Sequence, residues 1–190
     1  MATIDLYPDS TQAPAVVLAD LDLSAAAQKL LTTSKNTHGL LGSLTEAELF
    51  PDGFGVLARV LPKNFAIVWA RECLKAVEGT DRPESASRCL RVVDNWQRSP
   101  DEAGRRQAME VAEQAEYAHP EAWLAAAVGW SSGSLAPESQ AEIRPPDRLT
   151  AVAVAASLSM IVSEKPERFA ELSRQFIEQG LAMVAKPDSP

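Results

Sequence analysis

Only two histidines and two cysteines occur among the 190 residues of this chain, and that scarcity removes most metal and nucleophile chemistry at the outset. Cys73 and Cys89 each fall inside a helical pattern. They are too few for a disulfide framework, and their spacing is not that of a zinc knuckle, whose ligands come in short local pairs. The plain reading is two small side chains on packed helices, with a bond between neighbouring antiparallel helices left geometrically open. His38 lies in a polar stretch, and His119 precedes a proline at a helix start, where capping accounts for it. No catalytic residue, metal ligand or cofactor-binding residue is assigned, and a non-enzymatic chain is expected.

Other absences narrow the class further. No alternating β-branched run bounded by hairpin turns appears, which removes sheet architectures. Lys and Arg number 18 against 26 Asp and Glu, a net charge of −8. Nucleic acids bind through clustered basic surface, and the excess here has the wrong sign. The same acidity disfavours adsorption to anionic membranes. The longest apolar run, 151–161, contains Ser157 and Ser159 and is far shorter than the ~20 residues of a membrane span. Met1-Ala2-Thr3-Ile4-Asp5-Leu6 has no basic segment leading into an apolar core, so no secretory signal is read. A soluble, cytoplasmic protein without nucleic-acid binding or membrane insertion is expected.

What is present is helical periodicity. With 46% apolar residues, one substantial core is feasible, and the patterns predict an all-α single domain, an irregular bundle of six or seven helices. Residues 1–41 read as a flexible N-terminal tail with a short helix capped by Ser24, followed by a polar linker at 32–37. The helical domain spans 42–185, and 186–190 is a tail. Ser43-Leu44-Thr45-Glu46 fits a capping box, Phe50-Pro51-Asp52-Gly53 a turn, and 54–61 a helix. Pro62 opens a helix running to Gly79, and Asp81-Arg82-Pro83-Glu84 starts another with Ala86, Cys89, Val93 and Trp96 inward. Ser99-Pro100-Asp101-Glu102 combines a cap, a first-position proline and acidic side chains at the positive dipole end. Its helix turns Ala108, Met109, Ala112 and Ala115 inward, while Arg105 and Arg106 find carboxylates at helical offsets and read as locally matched surface charges. Arg71 and Glu72, beside Trp69, are a candidate partly buried pair. His119-Pro120 begins a helix carrying Trp123, Ala126, Ala127 and Trp130. Residues 149–163 are apolar or small nearly all round, the pattern of a buried helix, and form the expected centre of the core. Pro166 opens the last helix.

The stretch from Trp123 to Thr150 is specified residue by residue. An alanine-rich helix ends in Trp130-Ser131-Ser132-Gly133-Ser134-Leu135-Ala136-Pro137, with Gly133 suited to positive φ, and a loop containing Pro145-Pro146 leads to Leu149-Thr150. Anion-binding loops open helices, whereas this turn closes one at its negative end. A nucleophile elbow needs a strand leading into the turn, and none is seen. A loop held on rigid helices is where recognition usually sits, so Trp130, Ser132, Ser134, Leu135, Pro145 and Pro146 are the candidate protein-binding residues.

From about Gly42 to Met160 the chain resembles an uncharacterised bacterial all-helical family of unknown function. The resemblance rests on Leu61-Pro62-Lys63, Trp69-Ala70-Arg71-Glu72-Cys73, Trp96, Ser99-Pro100 and Arg105-Arg106-Gln107-Ala108, and continues through Pro120-Glu121-Ala122-Trp123, the 130–137 turn and Leu149-Thr150-Ala151. Members usually carry a Trp-Ser-Gly-Gly-Ser type turn, and Ser132 here replaces one glycine. Genes of that family are often encoded near type VI secretion components, which implies an adaptor or chaperone accessory to effector delivery, with a secretion component or effector as protein partner. Two alternatives stay open: a small-molecule binder or enzyme with a pocket under the 130–137 turn, using Trp69, Glu72 and Arg106, and an immunity protein whose acidic surface blocks a basic toxin.

Overall fold

The computed structural model describes residues 13–77, 82–137 and 139–184, and every regular element among them is helical. In chain order these are α1 (Pro14–Val17), α2 (Ala25–Thr33), α3 (Thr37–Glu46), α4 (Phe50–Val60), α5 (Lys63–Val77), α6 (Glu84–Arg98), α7 (Glu102–Gln114), α8 (Pro120–Gly129), α9 (Arg148–Ser163) and α10 (Phe169–Val184). A 3-10 turn, Pro166–Arg168, leads into α10. The all-helical bundle read from the sequence is therefore found, with ten α-helices among the described residues rather than six or seven. The stop at Gly79 and the tail at 186–190 lie outside the described residues.

Helix starts follow local capping chemistry, not always at the residue the sequence favoured. Ser24 caps α2 as expected, its hydroxyl accepting from Ala27 N at 3.2 Å. Asp52 of α4 accepts from the Ser24 amide and hydroxyl at 2.8 and 2.7 Å, tying the two helices together. The box at Ser43 is not a start: α3 begins six residues earlier because Asn36 accepts from Gly39 N at 2.8 Å, an N-cap as good as serine. Residues 50–53 are the first turn of α4 rather than a separate turn, since a proline there lacks only an N–H that the first turn leaves unbonded. Ser99 ends α6, and Asp101 caps α7 by accepting from Gly104 N at 2.6 Å.

Helix α9 packs against α4, α5, α8 and α10 and occupies the expected centre. Ala153, Val154, Leu158, Ile161 and Val162 are fully buried, and the Ser157 hydroxyl donates to Pro120 O at 2.8 Å. One flank departs from the reading, because Val152 is 38% exposed. Beside α9, Phe54, Trp69 and Phe176 form a buried aromatic cluster, and the Trp69 indole donates to Phe176 O at 2.8 Å. Helix α10 approaches closely here. A Cβ on Gly180 would come within 2.6 Å of Leu57 and 2.8 Å of Trp69. In the stretch read as a tail, Val17, Leu18, Leu23, Ala27, Leu40 and Leu41 join the same core, and burying each of the larger ones contributes roughly 1.5–3 kcal/mol.

Candidate functional site

Helix α8 has almost no polar face. Leu124 through Gly129 are buried without a break, and of its polar side chains only Glu121 is charged. Such a helix must bring partners to both of its ends, where backbone groups lack intrahelical bonds.

At the carboxyl end the partner is Arg105 of α7, which is buried rather than surface-matched as its sequence neighbours implied. Its Nη1 donates to Gly129 O at the negative end of α8, a favourable place for a cation. Its Nη2 donates to Ser134 O at 2.9 Å and to Glu102 Oε1 at 2.7 Å, and its Nε to Glu102 Oε2 at 2.7 Å. Arg106 donates to Ala136 O at 3.3 Å and lies 2.7 Å from Glu102. Bonding to Arg105, reinforced by the nearby charges, holds the Glu102 carboxyl below the usual carboxylate range. Two adjacent arginines thus grip the carbonyl that ends α8 and two carbonyls of the turn.

The turn's glycines are fixed by this packing. Gly133 sits at φ +66°, and a Cβ there would lie 2.7 Å from Glu102 Oε2 and 2.8 Å from Arg105 Nε. A Cβ on Gly129 would lie 2.9 Å from Met109. The letters Gly129-x-Ser131-x-Gly133 match an elbow spacing, yet they follow a helix, and the Ser131 hydroxyl donates to Val128 O at 2.7 Å. Beyond the turn, Ser134 Oγ accepts from Ala136 N and Ile143 N, both at 3.0 Å. Leu135 N donates to Ile143 O at 2.8 Å, and Thr150 Oγ1 donates to Trp130 O at 3.1 Å. The turn and the returning loop are therefore bonded to each other and to α7 and α9.

The sequence-predicted contacts fall into distinct roles on this frame. Trp130 is half-buried, stacked on Tyr117 and edge-on to Trp123, and Ser134 works inside the loop. Ser132 and Pro146 are exposed, Pro145 is half-buried, and Leu135 is 43% exposed. The sequence reading missed Ile143, which is 57% exposed and bonded through its backbone to Leu135. A shallow groove of about 300 Å³ runs along the loop between Lys63, Ser132, Gly133, Glu142, Arg144 and Pro145. Trp69, Glu72 and Arg106, the residues of the pocket alternative, do not converge. The first bonds α10, Glu72 bonds Lys75 at 2.6 Å, and the third grips the turn. Arg71 bonds Asp94 at 2.7 Å, so the pair expected with Glu72 is made with another helix.

The amino end of α8 carries the opposite charge. Glu121 is fully buried, 3.2 Å from Arg82 Nε and 3.2 Å from His119 Nδ1, and Arg82 also bonds Glu164 at 2.7 Å. His119 caps the helix as the sequence implied, its Nδ1 accepting from Ala122 N at 3.1 Å, while its Nε2 meets Ser85 Oγ at 3.2 Å. The succession Ser85, His119, Glu121 has the residue types of a catalytic relay. An imidazole that accepts at Nδ1 carries its proton on Nε2 and has no lone pair there for a serine proton. Among the described residues neither Glu121 oxygen has a directed hydrogen bond. No relay is assembled here.

Elsewhere the chemistry is that of a core. Cys73 and Cys89 are free and buried, facing Gln179 and Val111 O. Burial, helped by nearby Glu121, pushes the Cys89 thiol up to about 11, and burial with Glu72 pushes Cys73 higher still. Among the described residues no group of three His, Cys, Asp or Glu side chains could hold a metal ion. No single helix among them is long and apolar enough to cross a membrane.

A family model, described as a family of unknown function (DUF6931), matches residues 40–184, well over half of the chain. The chain belongs to this family. The match runs from within α3 through α10, including both charged ends of α8 and the anchored loop, and leaves α1, α2 and the first turn of α3 outside it. No curated protein and no solved structure matches the chain.

Proposed function

We propose that this DUF6931 member is a non-enzymatic protein-binding adaptor or chaperone that docks its partner through the 131–147 loop. The observation that carries the reading is the pair Leu135 and Ile143, two large apolar side chains left in solvent on backbones bonded directly to each other. Exposed apolar groups on a preorganised surface favour association, because little conformational freedom remains to be lost on docking. The resemblance to proteins encoded near type VI secretion components supports a secretion component or effector as the partner.

The test is affinity purification from the native host with the wild-type chain and with a Leu135→Ser/Ile143→Ser variant whose circular dichroism is unchanged. A partner held by the wild type and lost from the variant is the expected result. Equal recovery by both would remove the loop from the reading, and recovery of no secretion component or toxin would remove the secretion role.

A further inference from the structure

Both main-chain groups of Ile143 are used on one side. Its N–H donates to Ser134 Oγ and its C=O accepts from Leu135 N. A residue whose N–H and C=O point the same way is extended, and in an extended chain the groups of its two neighbours point the opposite way. The N–H and C=O of Glu142 and Arg144 make no hydrogen bond among the described residues, and both residues are exposed. The loop therefore presents a short unpaired strand edge to solvent. Pro145 and Pro146 have no N–H, so they end the edge and limit how much chain it can accept.

Resting on the docking reading above, we infer that the loop receives its partner as an added β-strand along residues 142–144. The occupant is an extended peptide segment of alternating apolar and charged residues. Strand addition draws affinity from main-chain bonds and specificity from alternate side chains. Side chains of an extended segment alternate between faces, placing Ile143 on one face and Glu142 and Arg144 on the other. Apolar peptide residues cover Ile143 and Leu135, and charged ones meet the Arg144 and Glu142 side chains, which are 83% and 55% exposed and paired with each other at 2.9 Å.

A random heptapeptide library displayed on phage and panned against the full chain supplies the probes, whose affinities are measured by fluorescence polarisation. Arg144→Pro deletes one edge N–H and leaves Ile143 extended, as residues before proline prefer, so binding weakens about five- to tenfold. Arg144→Ala keeps the N–H and holds affinity within about twofold of wild type. In ¹⁵N spectra of the complex, the Glu142 and Arg144 amides gain protection from exchange. Peptides lost from Leu135→Ser/Ile143→Ser but bound equally by wild type and Arg144→Pro, with those amides unprotected, overturn strand addition while leaving the docking reading standing. A library yielding no peptide sensitive to either change overturns both.

Discussion

The two ends of α8 solve the same problem with opposite charges and different precision. Each end of a buried helix exposes unbonded backbone groups and a partial charge, positive at the amino end and negative at the carboxyl end. Glu121 answers the first and Arg105 the second, each with the sign the dipole favours. Arg105, however, has hydrogen bonds to two carbonyls and a carboxylate, whereas Glu121 has the Arg82 guanidinium beside it but no directed bond among the described residues. A guanidinium aims several donors in fixed directions, so it also shapes what it touches. The carboxyl end thereby becomes a moulded loop, while the amino end remains an ionic contact.

The largest expected effect comes from removing the moulding group. Arg105→Leu leaves Gly129 O and Ser134 O without their donors, and two such losses cost about 3 kcal/mol. For a chain of this size that lowers the melting temperature on the order of 10 °C, readable by calorimetry. Gly133→Ala follows, since its Cβ enters the Glu102–Arg105 contact at positive φ. We expect a loss of about 2 kcal/mol in urea unfolding and faster protease cleavage within 131–147. Glu121→Gln keeps the shape and removes the charge, and should cost about 1 kcal/mol because no directed bond is lost and Arg82 keeps its bonds to Glu164. If Glu121→Gln matched Arg105→Leu, the contrast between the two ends would fail.

The smallest effect is a pH dependence. The folded Glu102 carboxyl titrates below its ordinary 4.5, so its stabilisation is present above that value and fades as pH falls through the lowered one. Its side chain is 45% exposed, and solvent screening keeps the contribution small. Urea midpoints compared between pH 6 and pH 3 should fall slightly more for the wild type than for Arg105→Leu.

Proline-led starts and inward stripes made most helices legible, including α8 behind His119-Pro120 and the central α9. Boundaries failed where two good caps competed, as at Asn36 against Ser43 and Asp101 against Ser99. Arg105 was misread because carboxylates at helical offsets look like solvated pairs on any helix. A signal was nevertheless present: Arg105 precedes Ala108 and Ala112 by three and seven residues, which places it on the inward stripe, whereas Arg106 falls at its margin and is half-buried. Glu121 likewise stood alone in a helix with no other charge. The Ile143 contact was not readable, since it depends on a serine hydroxyl and a backbone bond reaching back eight residues.

The sealed thiols of Cys73 and Cys89 give the molecule a built-in clock. Alkylation requires a thiolate in contact with reagent, and both the raised pKa and the enclosure deny that to the native form. At neutral pH each sulfur should react only during moments when its helix swings open. Mass-resolved labelling times for the two sites would then measure separately how often α5 and α6 part from their neighbours, without any engineered reporter.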